Sequence, residues 1–212
     1  MYVPEHYRLD DTSQALSVMR ANPFATLVGH DADGLMATHM PTLVLQDGHA
    51  ITIECHLARP NPQWKRLAAN PGADALLIFG GPHAYIRPGW YPSKAENGKV
   101  VPTWNYAAVH AYGRTDIIQD GDWLLRHVTA LTAQQESAYE LPWKPGDAPE
   151  QFIAALIRAI VGIRFSVTRL EAKAKLGQNR DARDALGAAD GLAARAEGTD
   201  LAVAEMMRAT RR

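Results

Sequence analysis

Apolar residues recur along this chain in two rhythms, alternation that suits strands and three-to-four spacing that suits helices. After Asp10-Asp11-Thr12, Leu16 and Met19 share one helical face, and Asn22-Pro23 stops that helix. Residues 24–28 read as a strand, Asp31-Ala32-Asp33-Gly34 as a hairpin turn, and 35–45 as the return strand, with Pro41 marking a bulge or edge. Asp47-Gly48 gives a second turn into a strand over 50–56, and three strands joined this way predict an antiparallel meander. Asn61-Pro62 opens a helix, with Asn as its cap and Pro at its first position, and Asn70-Pro71-Gly72 closes it. A buried strand follows at 75–79, and Gly80-Gly81-Pro82 separates it from a further sheet element at 84–87. The stretch 88–99 carries Trp90 and Tyr91, too aromatic for a plain linker, and is expected to fold onto something.

Downstream, 105–118 reads as a long strand. A helix follows Asp120-Gly121 with Trp123, Leu124, His127, Val128 and Leu131 at helical spacing. Another starts at Asp147-Ala148-Pro149-Glu150, carries a wide apolar stripe of Phe152, Ile153, Leu156, Ile157 and Ile160, and ends at Gly162. Residues 163–168 alternate as a half-exposed strand. The last forty residues are Ala-rich and read as helices broken at Gly187, Gly191 and Gly198. About seven short strands with helices outside the sheet predict a mainly β, antiparallel barrel with additional helices. Strands and helices do not alternate, and no G-x-G-x-x-G is present, so a Rossmann sheet is not expected.

Composition narrows the function classes. The 212 residues carry 22 Lys or Arg against 23 Asp or Glu, a formal net charge of -1. Strong nucleic-acid binders draw affinity from phosphate neutralisation, so a DNA role is possible but unsupported by charge. From residue 162 onward ten Lys or Arg stand against seven Asp or Glu, too slight an excess for a DNA surface, and no helix-turn-helix is visible. The single cysteine, Cys55, excludes an intrachain disulfide and a Cys-rich zinc module, and mid-strand beside Glu54 it reads as inert. No apolar run is long enough to span a bilayer, so no membrane role is expected and the cytoplasm is the expected location.

Three stretches could carry chemistry. At His56-Leu57-Ala58-Arg59-Pro60-Asn61-Pro62-Gln63-Trp64 a strand runs into a capped helix, where unpaired N–H groups and the Arg59 guanidinium would make a small anion site. An ordinary capped helix with a solvated arginine fits the same residues. Thr103-Trp104-Asn105-Tyr106 could stack on a planar ligand and bond its edge, or fill a core. Lys175-Leu176-Gly177-Gln178-Asn179-Arg180 is a polar run that could close a pocket or simply turn in solvent. His39, His56, His83 and His110 match no metal-ligand spacing, so no metal site is expected.

At these stretches the chain resembles the PaiB-type family of FMN-binding negative transcriptional regulators. The resemblance runs through Met1-Tyr2-Val3-Pro4, residues 22–28, Thr38-His39-Met40-Pro41, residues 56–64 and Gly81-Pro82-His83-Ala84-Tyr85-Ile86. Its most specific parts are Trp90-Tyr91-Pro92-Ser93-Lys94, Val100-Val101-Pro102-Thr103-Trp104-Asn105-Tyr106 and Val109-His110-Ala111-Tyr112-Gly113. Gly177 departs from it, standing where the family has a serine. The resemblance implies a split β-barrel that binds FMN non-covalently as a homodimer, with the flavin near the interface. It would place His56, Leu57, Ala58 and Arg59 along the phosphate and ribityl chain, with Asn61, Gln63 and Trp64 also among the cofactor-binding residues. Thr38 and His39 would border the isoalloxazine, Thr103, Trp104, Asn105 and Tyr106 would stack on it and bond its edge, and Gln178, Asn179 and Arg180 would close the site.

The expected organisation is a split-barrel domain over 1–170 and a helical extension over 171–212 packed on it. A flavin-binding transcriptional regulator is the leading expectation. An FMN-dependent oxidoreductase acting on a small molecule is the alternative, and a haem-handling split barrel is a third. Whether the chain is an enzyme stays open at this point.

Overall fold

The computed structural model describes residues 1–211 of the chain. Its elements are α1 (Thr12–Ala21), β1 (Phe24–Asp31), β2 (Gly34–Pro41), β3 (Leu43–Asp47), β4 (Ala50–Ala58), α2 (Gln63–Ala69), β5 (Ala75–Ile86), α3 (Ser93–Asn97), β6 (Thr103–Ile118), α4 (Gly121–Glu136), α5 (Glu150–Arg158), β7 (Ile160–Lys175), α6 (Ala182–Arg195) and α7 (Asp200–Ala209). The strands form a seven-stranded sheet in the order β2-β1-β5-β6-β7-β4-β3. The β1–β2, β1–β5, β3–β4 and β4–β7 pairs are antiparallel.

The predicted meander is corrected here. Pro41 has no N–H to give a ladder, and Thr42 turns inward. Its N–H and hydroxyl both bond the Pro23 carbonyl, at 2.9 and 2.7 Å. The predicted return strand is therefore cut in two. β2 pairs with β1, β3 pairs with β4, and β2 and β3 end up at opposite ends of the strand order. Two hairpins replace three consecutive strands.

Glycines account for the other differences, because several serve close packing rather than chain breaks. β5 runs without interruption through Gly80-Gly81-Pro82. A Cβ at Gly81 would stand 3.0 Å from the Ala107 Cβ, so this glycine lets β6 approach. Gly162 lies inside β7 and does not end α5, which stops at Arg158. A Cβ there would sit 2.3 Å from the Trp123 ring. Gly187 and Gly191 lie within a continuous α6, one turn apart on one face.

Two compact units divide the backbone: residues 1–18, 80–109 and 171–212 form unit one, and 19–79 and 110–170 form unit two. Unit one has a core of Ile86, Tyr91, Leu176, Leu192, Val203 and Met207 with small Ala side chains between them. The aromatic stretch after β5 lands on this core. The Trp90 ring covers Gly191, where a Cβ would fall 2.3 Å from ring atoms, and Ser93 donates from its backbone N–H and hydroxyl to Asp184 at 3.0 and 2.6 Å. In unit two, Ile51, Ile53, Cys55 and Leu57 alternate into the interior of β4, and Val161, Ile163 and Phe165 do so on β7. Burial pushes the Cys55 thiol up to about 12, which keeps it protonated and unreactive. The apolar stripe of α5 is not core. No residue of that helix is buried, and Phe152 and Leu156 are about half exposed.

Candidate functional site

Unit two gathers the first group of expected ligands around the start of α2. The helix begins at Gln63, one residue later than predicted, so Pro62 and not Asn61 is its cap residue, and Asn61 Oδ1 accepts from the Gln63 backbone N–H at 2.9 Å in the turn that leads into it. Asn61 Nδ2 donates to the Thr38 hydroxyl at 3.0 Å, and that hydroxyl donates to Gln63 Oε1. Gln63 is buried and passes its amide on to the Leu27 carbonyl at 3.1 Å. Trp64 Nε1 donates to the Arg59 carbonyl at 2.8 Å. These groups satisfy one another and fasten α2 to β1 and β2.

Arg59 is engaged in the same way. Its Nε donates to the Arg158 carbonyl at 2.7 Å, one terminal nitrogen to Gln119 Oε1 at 2.7 Å, and the other to the Ile160 carbonyl at 2.9 Å. The guanidinium ties off the junction between α5 and β7. Leu57 points inward and is buried, Ala58 is exposed at the end of β4, and His39 is exposed with its ring stacked on Phe24 at 6.2 Å.

His56 points the other way from Leu57, toward α4. Its Nδ1 lies 3.0 Å from Nε2 of His127, whose side chain is completely buried. Trp123 stacks on the His127 ring at 5.2 Å and 12°, in the space that Gly162 leaves free. Glu54 Oε2 stands 3.7 Å from His127 Nδ1, and Arg164 faces Glu54 across the β4–β7 pair. Burial pushes the His127 imidazole down to about 4, with His56 adding to the effect, and burial also lowers His56. The two rings are neutral and share one hydrogen.

Unit one holds the second group, and it is arranged differently. Along β6, Trp104 and Tyr106 alternate with Thr103 and Asn105, so the two pairs face opposite sides of the strand. On one side lies a trough of about 340 Å³ lined by Gly80, Gly81, Ala107 and Ala108, with His83, Trp104 and Tyr106 around them. Trp104 is 53% exposed and lies about 6 Å from both the His83 and Tyr85 rings. On the other side is a pocket of about 200 Å³ lined by residues that include Thr103, Asn105, Lys175, Asn179 and Arg180. Gln178 is not free to join it, because its side chain bonds the Leu176 N–H and the Ala174 carbonyl at 2.8 and 2.7 Å. Lys175 donates to the Thr103 hydroxyl and to the Trp104 carbonyl.

FMN presents a dianionic phosphate, a polyol chain and a flat, largely apolar tricyclic ring. Two separate unit-one surfaces carry groups of the kinds these parts call for: a glycine-and-alanine floor beside aromatic rings on one side of β6, and Lys175, Arg180 and a hydroxyl on the other. The unit-two donors are already engaged within the protein. Lys175 and His83, which the sequence offers only within a polar run and within a histidine set of no metal spacing, line these two surfaces. The His56–His127 pair had no sequence signal, because 71 residues separate its members.

The fold is a split barrel of antiparallel strands with added helices. Residues 1–169 match the family described as "Putative FMN-binding domain", and the chain belongs to that family, with FMN as its cofactor. It is 32% identical over 184 residues to the Bacillus subtilis protein named "Protease synthase and sporulation protein PAI 2", covering 87% of this chain and 85% of that one. Solved structures share its fold. The flavocytochrome Anf3 of Azotobacter vinelandii superposes with a TM-score of 0.59 at 16% identity, over 83% of this chain and 73% of that one. An FAD and heme binding protein of Mycobacterium smegmatis gives 0.59 at 15% identity, over 86% and 80%. No helix among the described residues is long and apolar enough to cross a membrane.

Proposed function

We propose that the protein works as an FMN-binding homodimer with a regulatory output, its flavin ring lying on the trough between β5 and β6. The observation that carries this reading is the trough itself. A flat floor of Gly80, Gly81, Ala107 and Ala108, with Trp104 more than half exposed beside it, is an apolar surface that a planar ring and a second copy would cover. Trp104 and Tyr106 would contact the ring. Bound there, FMN would supply one- or two-electron redox chemistry, and the protein's own residues would orient the ring and exclude water from it.

The resemblance to FMN-binding negative transcriptional regulators supports the regulatory half, and the Bacillus subtilis relative is named for protease synthase and sporulation. The net charge of -1 does not favour direct DNA binding, so regulation would act through a partner or through the flavin state. An FMN-dependent oxidoreductase is the second reading. His83 favours it, as an exposed titratable group at the trough wall 6.1 Å from Trp104.

The test is an absorption spectrum after FMN loading and gel filtration with in-line light scattering. Retained flavin on a particle of twice the chain mass is expected, and flavin that washes off a monomer would overturn the proposal. Flavin bleaching by NAD(P)H would favour the oxidoreductase. Salt-sensitive retention of DNA by the purified protein would instead show a direct regulator.

A further inference from the structure

Unit two holds a larger cavity than either of those beside β6. It is an open groove of about 610 Å³ between α4 and α5, a size typical of small-molecule sites. Leu125 of α4 lines it, as do Ile153 and Ile157, which stand one turn apart on α5. The two isoleucines belong to the apolar stripe that the chain's own core leaves uncovered. Two glycines in the lining show that the space is open rather than close-packed. Neither Gly121 nor Gly146 has a positive φ, and a Cβ at either would meet nothing within 4 Å. Backbone conformation and packing would therefore both admit a side chain at these positions, and its absence keeps the groove wide.

The groove is charged differently at its two ends. Arg158 and Glu150 both line it, and their spacing on α5 sets them roughly 12 Å apart along the helix axis. Neither side chain has an ion pair or hydrogen bond among the described residues. Arg59 brings a second guanidinium to the Arg158 end. It bonds the Arg158 and Ile160 carbonyls and Gln119 Oε1, which joins the end of α5 to the start of α4, and it pairs with no carboxylate. The adjoining Asp120 carboxylate is taken up by the Trp123 N–H. Two cations thus share one end of an apolar groove, and a single carboxylate marks the other.

We infer that this groove binds an apolar monocarboxylate. The hydrocarbon body lies along Leu125, Ile153 and Ile157, and the carboxylate accepts from the Arg158 guanidinium, whose planar fork suits two parallel hydrogen bonds. Arg59 holds the backbone beneath Arg158 and so positions it. Glu150 gives the site its polarity: a second negative end would be repelled there, so a dicarboxylate of the same length is rejected. No residue of this groove lines the trough or the pocket beside β6, so the inference does not depend on where the flavin binds.

The test is calorimetric titration of the full-length protein with decanoate, decanol, sebacate and decylammonium, each kept below its aggregation threshold. Decanoate is expected to bind with one site per chain, and the other three about tenfold more weakly or worse. Arg158→Gln, at an exposed position, should bring decanoate down to the affinity of decanol and leave decanol unchanged. Ala154→Phe, which fills the groove, should abolish both. Thermal unfolding checks that the two variants are folded. No decanoate heat with the wild type, tighter binding of decylammonium or sebacate, or unchanged decanoate binding by either folded variant would overturn the assignment.

Discussion

The buried His56–His127 pair makes the stability of this protein depend on pH in a calculable way. In the folded chain the His127 imidazole is pushed down to about 4 from an ordinary 6.5, because burial, and then the neighbouring His56, disfavour its charged form. The unfolded chain takes up a proton that the folded chain refuses. Stability from this group is therefore fully present above about pH 6.5, falls as pH drops, and levels off below about 4. At 1.36 kcal/mol per unit, the loss is ~2 kcal/mol at pH 5 and ~3 kcal/mol at its full extent.

Glu54 acts in the opposite direction. Burial raises its carboxyl, against the pull of Arg164 and Arg126, so acid relieves a cost at that position. Burial lowers His56 as well, so a wild-type pH profile alone would mix all three groups. The assay is urea denaturation between pH 7.5 and 4.5, comparing the wild type with His127→Gln, whose amide can still bond His56. The variant should be less stable at pH 7.5, from lost packing against Trp123, and should fall less steeply on acidification. Parallel profiles for the two proteins would refute a neutral buried imidazole at this position.

Three further outcomes follow from the packing. Gly191→Ala drives a Cβ into the Trp90 ring and should cost ~1–3 kcal/mol by overpacking, read as a lowered melting temperature. Arg59→Ala removes three bonds at the α5–β7 junction and should cost roughly 1–3 kcal/mol in denaturation. Its flavin affinity should stay close to wild type, and a large loss of affinity in a stable protein would return Arg59 to the cofactor site. Trp104→Ala, at a half-exposed position, should leave the melting temperature nearly unchanged and weaken FMN retention, measured by flavin fluorescence after gel filtration.

Some of this protein was written locally in its sequence. Leu16 and Met19 announced the buried face of α1, Asp31 to Gly34 the first hairpin, and Asp120 the cap of α4, whose side chain accepts from the Trp123 N–H at 2.7 Å. These features depend on neighbours within a turn or two, so residue type and spacing are enough to specify them. The family was equally legible, because long exact strings such as residues 90–94 and 100–106 carry it.

Tertiary structure decided the rest. The glycines at 162, 187 and 191 look like helix stops in one dimension, and only the rings of Trp123 and Trp90 show that they are seats for distant side chains. Arg59 and Asn61 look like free anion ligands until the carbonyls of Arg158 and Ile160 and the Thr38 hydroxyl take up their donors. Lys175 lies in a polar run and Asn105 in a candidate ligand-binding stretch, and only the fold shows that the Asn105 amide is buried against the Met207 sulfur and that Lys175 bonds the Thr103 hydroxyl and the Trp104 carbonyl. Propensity and capping act over a few residues, whereas the satisfaction of a polar group depends on which remote partner the fold delivers, and here those partners lie up to about a hundred positions away.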